Sequence, residues 1–214
     1  MNKAAFTPSV FFALTILFIF SACKSGKTSD SVKTGADTIT RLAVKIEQKI
    51  SPNKAPVINM MDSLSVKHLV LCMKDSAANS GRIAKKLGEI YSVKLAAVIK
   101  RNGLKVTGPP IAWYRSQKAP FFFEAGIPVD RKPGKFPAGV FLKSIGTDST
   151  VVAHFYGPYN LTSQAYPVLQ DWIKDHKKKI IHPPYEVYVD DPMGKDGKLK
   201  DPYKVQTDIV FTWK

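Results

Sequence analysis

The chain has 214 residues, 44% of them hydrophobic and 11% aromatic, with 32 Lys and Arg against 17 Asp and Glu, a formal net charge of +15. Only two cysteines are present, which excludes a disulfide framework as the support of the fold. The lysines are spread over 24–54, 94–105, 174–179 and 195–204 with no helix-turn-helix or zinc spacing, so nucleic acid is excluded as the expected partner of this charge.

After Lys3, Val10 to Phe20 (VFFALTILFIF) is an apolar core of signal-sequence length, shorter than the roughly 20 residues needed to cross a bilayer. It ends at Phe20-Ser21-Ala22-Cys23, small residues before a cysteine, as lipoprotein processing requires. Residues 1–22 therefore read as a lipoprotein signal peptide and Cys23 as the lipidation site. The expected location is the bacterial cell envelope or periplasm, with the membrane engaged through the lipidated N-terminus. Acylation of Cys23 leaves Cys72 without an intramolecular partner. Losing Lys3 with the leader leaves a charge of +14, which suits a solvated surface facing anionic lipid.

Residues 23–56 read as a tether. Lys24 to about Asp37 has almost nothing to bury, and 39–50 (ITRLAVKIEQKI) carries apolar side chains three and four apart, the pattern of a short amphipathic helix. Ser51 to Pro56 breaks that periodicity.

Residues 57–214 suit one domain with a sizeable core. Val66 to Met73 reads as a buried strand, followed by a helix N-capped by Ser80 with Ile83, Leu87, Ile90, Leu95, Val98 and Ile99 inward and closed by Asn102-Gly103. Strands follow at Ile111–Tyr114 and Phe121–Val129. The sequence then repeats itself 74 positions on: Gly108-Pro109-Pro110-Ile111-Ala112-Trp113-Tyr114 returns as His182-Pro183-Pro184-Tyr185-Glu186-Val187-Tyr188, and Leu87, Leu95 and Ile99 fall on Leu161, Leu169 and Ile173. The second copy predicts a strand at Val151–Tyr156, a helix over Leu161 to about Lys177 with an irregular start at Pro167, and strands at Tyr185–Val189 and Val205–Phe211. The fold class is α+β: a tandem βαββ repeat with pseudo-two-fold symmetry, an antiparallel sheet and two main helices. Helices on one face would leave the other as a ligand groove at the symmetry axis.

The runs Gly108-Pro109-Pro110, Glu124 to Val129, Gly157-Pro158-Tyr159 through Trp172, and Pro183 to Tyr188 through Asp191-Pro192 resemble the GyrI-like small-molecule-binding fold. That fold is shared with the effector-binding domains of AraC-type and MerR-type regulators and, more distantly, the SOUL haem-binding proteins. The resemblance implies an aromatic groove with one acid on the Tyr-Glu-x-Tyr strand, here Glu186, taking lipophilic, often cationic molecules. Some similar proteins hydrolyse strained electrophiles with that acid. The attached DNA-binding domain of a regulator is missing from this pattern.

Alternation puts Glu186 on one strand face with Tyr188, and Ala112 with Tyr114, while Tyr185, Val187, Ile111 and Trp113 point to the other. The repeated strand thus differs in one chemical respect, Glu186 for Ala112. The expected ligand-binding set is Glu186, Tyr188, Tyr114, Trp113, Phe123 and Tyr156. A carboxylate buried among rings without a partner tends to take up a proton, and a cationic ligand removes that cost. The leading reading is an envelope lipoprotein that binds a lipophilic cation; the alternative is a hydrolase in which Glu186 activates water and a tyrosine orients the substrate. His68, His154, His176 and His182 have no ligand spacing, so no metal and no cofactor are expected.

Overall fold

The computed structural model describes residues 54–214; the leader, Cys23, the 39–50 segment and most of the tether lie outside the described residues. Eight strands form one sheet: β1 (Val57–Leu64), β2 (His68–Ala77), β3 (Ile111–Tyr114), β4 (Phe121–Val129), β5 (Val140–Ile145), β6 (Ser149–Tyr156), β7 (Tyr185–Val187) and β8 (Gln206–Trp213). Their order is β1-β6-β8-β7-β3-β4-β2-β5, with every neighbouring pair antiparallel. Read outward from the centre, β3-β4-β2-β5 mirrors β7-β8-β6-β1, the pseudo-two-fold arrangement of two βαββ units. The axis runs between β3 and β7, where Ala112 lies directly opposite Glu186.

The first helical stretch is continuous but not uniform. A 3-10 turn Ser80–Arg82 leads into α1 (Ile83–Glu89), a π-helical segment Ile90–Leu95 and α2 (Ala96–Arg101). The turn is preceded by extended Asn79 with no side-chain cap, rather than being N-capped by Ser80 as the sequence predicts. The extra residue of the π segment puts Ile90 and Tyr91 side by side on the buried face, each 1% exposed. In the second unit a 3-10 turn Tyr159–Gln164 precedes α3 (Ala165–Asp175), so Pro167 sits in the first turn, where its missing N–H breaks no helical bond. That is the irregular start expected of it.

Two strands have no forerunner in the sequence reading. β1 (VINMMDSL) is exposed along most of its length and shows no alternation; β5 is a six-residue strand after a Lys, Pro and Gly loop. Both are edge strands, and each pairs with the opposite unit: β1 with β6, β5 with β2.

This exchange dictates the shape of the sheet. The link Ser65–Lys67 can span at most about 14 Å, whereas β1 and β2 would stand about 29 Å apart across six spacings of a flat sheet. The same holds for β5 and β6, joined through Gly146–Asp148. The sheet therefore curls until the two links touch, the Ser65 amide donating to Asp148 O at 2.9 Å and the Thr147 amide to Ser65 O at 3.0 Å. Gly146, at φ +106°, makes the turn there.

Curling closes one face on itself. Val70, Cys72, Ile111, Trp113, Tyr185 and Val210, from four strands, bury one another there without any helix. On the other face α1, the π segment and α2 pack chiefly on β2 and β4, and α3 on β6 and β8. The expectation of a groove on the face without helices is thus corrected: that face is core, and the open space lies between the helices, over the central β3–β7 pair.

Gly126 on β4 shows how tight the closed face is. A Cβ there would lie 2.6 Å from Cys72 Sγ and from Val70 Cγ1. Gly126→Ala is expected to destabilise the protein by about 1–3 kcal/mol, read as a lower urea midpoint. An unchanged midpoint would mean the inner face is not packed in this way.

Candidate functional site

Between the helices a cavity of about 660 Å³ opens onto the sheet. Its floor is Tyr114, Glu186 and Tyr188. One wall is α1 and the π segment, with Ile83, Ala84, Leu87 and Tyr91. The other is the 3-10 turn, with Tyr159, Asn160, Thr162 and Ser163. The exposed part of the lining is polar but uncharged, Ser80, Gln117, Asn160 and Ser163. Glu186 is the single ionisable acid or base, phenols aside, among the lining residues.

Glu186 is 4% exposed. Tyr166 of α3 donates to its Oε1 at 3.2 Å and Tyr188 to its Oε2 at 3.1 Å; the Thr162 hydroxyl is also within hydrogen-bonding reach. The Tyr114 and Tyr188 hydroxyls are 3.0 Å apart, which joins the two residues that the 74-residue register equates. No ammonium, guanidinium or imidazole among the described residues pairs with this carboxyl. Burial pushes it up to about 7, against the opposing effect of the Tyr188, Tyr166 and Thr162 hydroxyls. The small Ala112 opposite it leaves room for the longer side chain.

The sequence-predicted set divides in two. Glu186, Tyr188 and Tyr114 meet at the cavity floor, on the face that alternation gives them. Trp113, Phe123 and Tyr156 do not line it. Trp113 is on the closed face against Tyr185, centroids 5.7 Å apart, with the Lys143 ammonium 4.2 Å from its ring centre. Phe123, 2% exposed, pairs with Tyr114 across the β3–β4 ladder and backs that ring instead of facing the space. Tyr156 is at the far end of β6, donating to Gln206 Oε1 at 2.8 Å. Their places in the lining went to Tyr91, Tyr159 and Thr162, and Tyr166 holds the acid without lining the space; these come from a π segment, a 3-10 turn and an irregular helix start, where no simple period marks the inward residue.

Glu124, the other acid in the family-like strands, is on the opposite face from Glu186 and is ion-paired with Lys143, with Lys74 at 3.8 Å and Arg115 at 3.9 Å. It is a satisfied structural acid. Cys72 is fully buried, and burial pushes its thiol up to about 12, so it is inert at neutral pH. Among the described residues no group of three or more His, Cys, Asp or Glu side chains converges.

No protein-family model and no curated protein matches this sequence. Solved structures do. The EcmrR C-terminal domain superposes with a TM-score of 0.59 at 17% identity, over 75% of this chain and 99% of that one. EcmrR in its complex with DNA gives 0.59 at 20% identity, over 84% of this chain and 65% of that longer one. A hydrolase from Listeria innocua gives 0.51 at 13% identity, over 75% and 94%. At such identities the likeness shows the fold, and the fold is the α+β one that the effector-binding resemblance implies.

A carboxyl near 7 when folded and near 4.5 when unfolded binds more protons in the folded state between those values. Its stabilising contribution is therefore complete below about pH 4.5 and is lost as pH rises through about 7. In the empty protein, Glu186→Gln is expected to raise stability over wild type at about pH 8 by up to about 3 kcal/mol, and to match wild type near pH 4.5. Urea titrations at the two pH values check this; a difference that does not change with pH would contradict it.

Proposed function

We propose that the protein is a lipid-anchored cell-envelope protein that captures a lipophilic cation in this cavity, with Glu186 as the counter-charge. The observation that carries the reading is a fully buried carboxyl without a cationic partner among the described residues, in a cavity walled by aromatic rings. At about 4 Å and an effective dielectric of about 20 an opposite charge is worth about 4 kcal/mol, and ring faces add about 0.5–2 kcal/mol. Tyr91 and Tyr159, both in the lining, make T-shaped pairs with Tyr188, centroids 6.3 and 5.7 Å apart, and supply aromatic surface there.

The hydrogen bonds refine the guest. Tyr166 and Tyr188 each donate to one oxygen of the carboxyl, and Thr162 stands beside it, so part of its accepting capacity is already taken. A guest that must donate several N–H bonds to be satisfied would find few acceptors. A quaternary or delocalised cation, which needs none, fits better. The anchored location rests on the leader pattern and Cys23; the effector-binding likeness supports small-molecule capture.

A second reading is hydrolysis of an electrophilic guest. The likeness to a protein described as a hydrolase, together with an acid poised near neutral pH beside a tyrosine hydroxyl, favours it. Capture and turnover are separated by whether the guest is recovered unchanged.

Crystal violet, a delocalised cation, and its neutral leuco form make a matched pair of probes. At about pH 8, Glu186→Gln is expected to weaken crystal violet binding on the order of 10- to 100-fold while leaving the leuco dye unaffected. Equal affinity of wild type and variant for the cation would remove Glu186 from recognition. Consumption of an electrophilic probe by wild type alone would favour the hydrolase reading.

A further inference from the structure

We propose that the cavity exchanges a proton for its guest: the empty site holds Glu186 as a neutral carboxylic acid, and entry of a cation expels that proton to solvent. This rests on the reading of the cavity as a cation site. In the exchange the carboxyl O–H bond breaks, the proton passes to water or buffer, and the carboxylate left behind pairs with the incoming positive charge. No oxidant or co-reactant is needed.

The geometry provides for both states. Facing Glu186 are Tyr114 from β3, Tyr91 from the π segment, Tyr159 and Thr162 from the 3-10 turn, Tyr166 from α3, and Tyr188 just past its own strand. Its cross-strand neighbours are Ala112 and Ile209. None of these carries positive charge. Asp190 and Asp191, which act on Tyr159, add only negative potential. An empty site with an ionised Glu186 would hold a buried anion with no counter-ion, whereas the neutral acid avoids that charge.

The hydroxyls around it can serve either form. Thr162 Oγ1 gives its proton to Tyr159 O at 3.0 Å, which leaves its lone pairs free to accept the proton of a neutral Glu186. The Tyr188 hydroxyl lies between Tyr114 and the carboxyl. Rotation of hydroxyls, with no movement of backbone, converts a neutral-acid pattern into one in which Tyr188, Tyr166 and Thr162 all point protons at an anion. At 3.1 and 3.2 Å the present tyrosine contacts are longer than the about 2.5–2.7 Å of hydroxyl bonds to an ionised oxygen, so they have room to tighten.

Glu186 is also the one group there able to titrate near neutrality. Burial raises Tyr114 and Tyr159, and raises Tyr91, Tyr166 and Tyr188 well above the usual phenol value. Burial holds Glu186 itself at about 7. Capture would then strengthen as the surroundings become more alkaline and weaken in acid. A neutral molecule of the same shape would show neither trend.

Isothermal titration of the whole protein with crystal violet, in two buffers at each pH (MES and succinate in the acid range, phosphate and imidazole near neutrality, Tris and Bicine in the alkaline range), tests this, because the two buffers of each pair take up a released proton with different heats. Release of about one proton per guest is expected at about pH 5.5, about half at about pH 7 and close to none at about pH 8.5, with Kd falling about tenfold per pH unit below 7 and levelling above it. Glu186→Gln should bind more weakly with no buffer-dependent heat. Should that variant fail to fold, Tyr188→Phe, which removes one donor to the anion, should move the release midpoint to higher pH. Binding with the same heat in both buffers at every pH overturns the exchange and leaves cation capture standing. No binding at any pH overturns the cation reading itself.

Discussion

One buried carboxyl without a counter-ion constrains the rest of this molecule. Isolated in a low-dielectric interior, such a group must either remain neutral or be surrounded by dipoles that face it. The fold meets this with hydroxyls brought from separate elements: Tyr188 at the end of β7, Tyr166 on α3 and Thr162 in the turn before it. Each belongs to the second unit, which alone carries the acid. The first unit answers with Ala112 and with Tyr114, whose hydroxyl extends the chain by one bond. A second glutamate at Ala112 would set two carboxyls directly across one ladder, an arrangement in which like charges destabilise.

The curl of the sheet decides which face is open to a guest. Short links between strands that belong at opposite ends of the order draw the edges together, and the enclosed face fills with Trp113, Tyr185, Cys72 and their neighbours. Space is left where the helices part. They rest on the outer strands of each unit because their buried residues, Leu95, Val98 and Ile99 in one and Leu169 and Ile173 in the other, meet β2, β4, β6 and β8. The short central strands β3 and β7, four and three residues long, are left between them. Glu186 sits on that uncovered pair, and its burial is completed by helix and turn side chains reaching over it.

Much of this was legible in the residues. The 74-residue register located both helices and the β3–β7 pair, and period-two alternation assigned Glu186, Tyr188 and Tyr114 to one face and Trp113 to the other. What alternation does not contain is which face a curled sheet encloses, so Trp113 fell on the sealed side. Tyr156 fell on the sealed side's face as well, because on β6 it shares the face of Val152 and not that of Val151, Ala153 and Phe155 under the helix. Tyr166 and Thr162 were illegible as acid partners because a 3-10 turn running into a helix has no single period from which an inward residue can be read. β1 was missed because an edge strand exposed on nearly every residue has no hydrophobic pattern to find.

The exchanged edge strands bear on how the chain reaches this state. Every residue of β1 waits for a partner some 85 to 100 positions downstream, and β2 gains its outer neighbour only from the far side of β4. Neither unit is closed by its own residues. An amino-terminal half emerging first from synthesis would have its first strand, β1, unpaired and its inner face open, so the two halves must mature as one cooperative body. Two copies of a single half could complete each other in the same way, which makes a strand-swapped dimer a natural starting point for a molecule of this design.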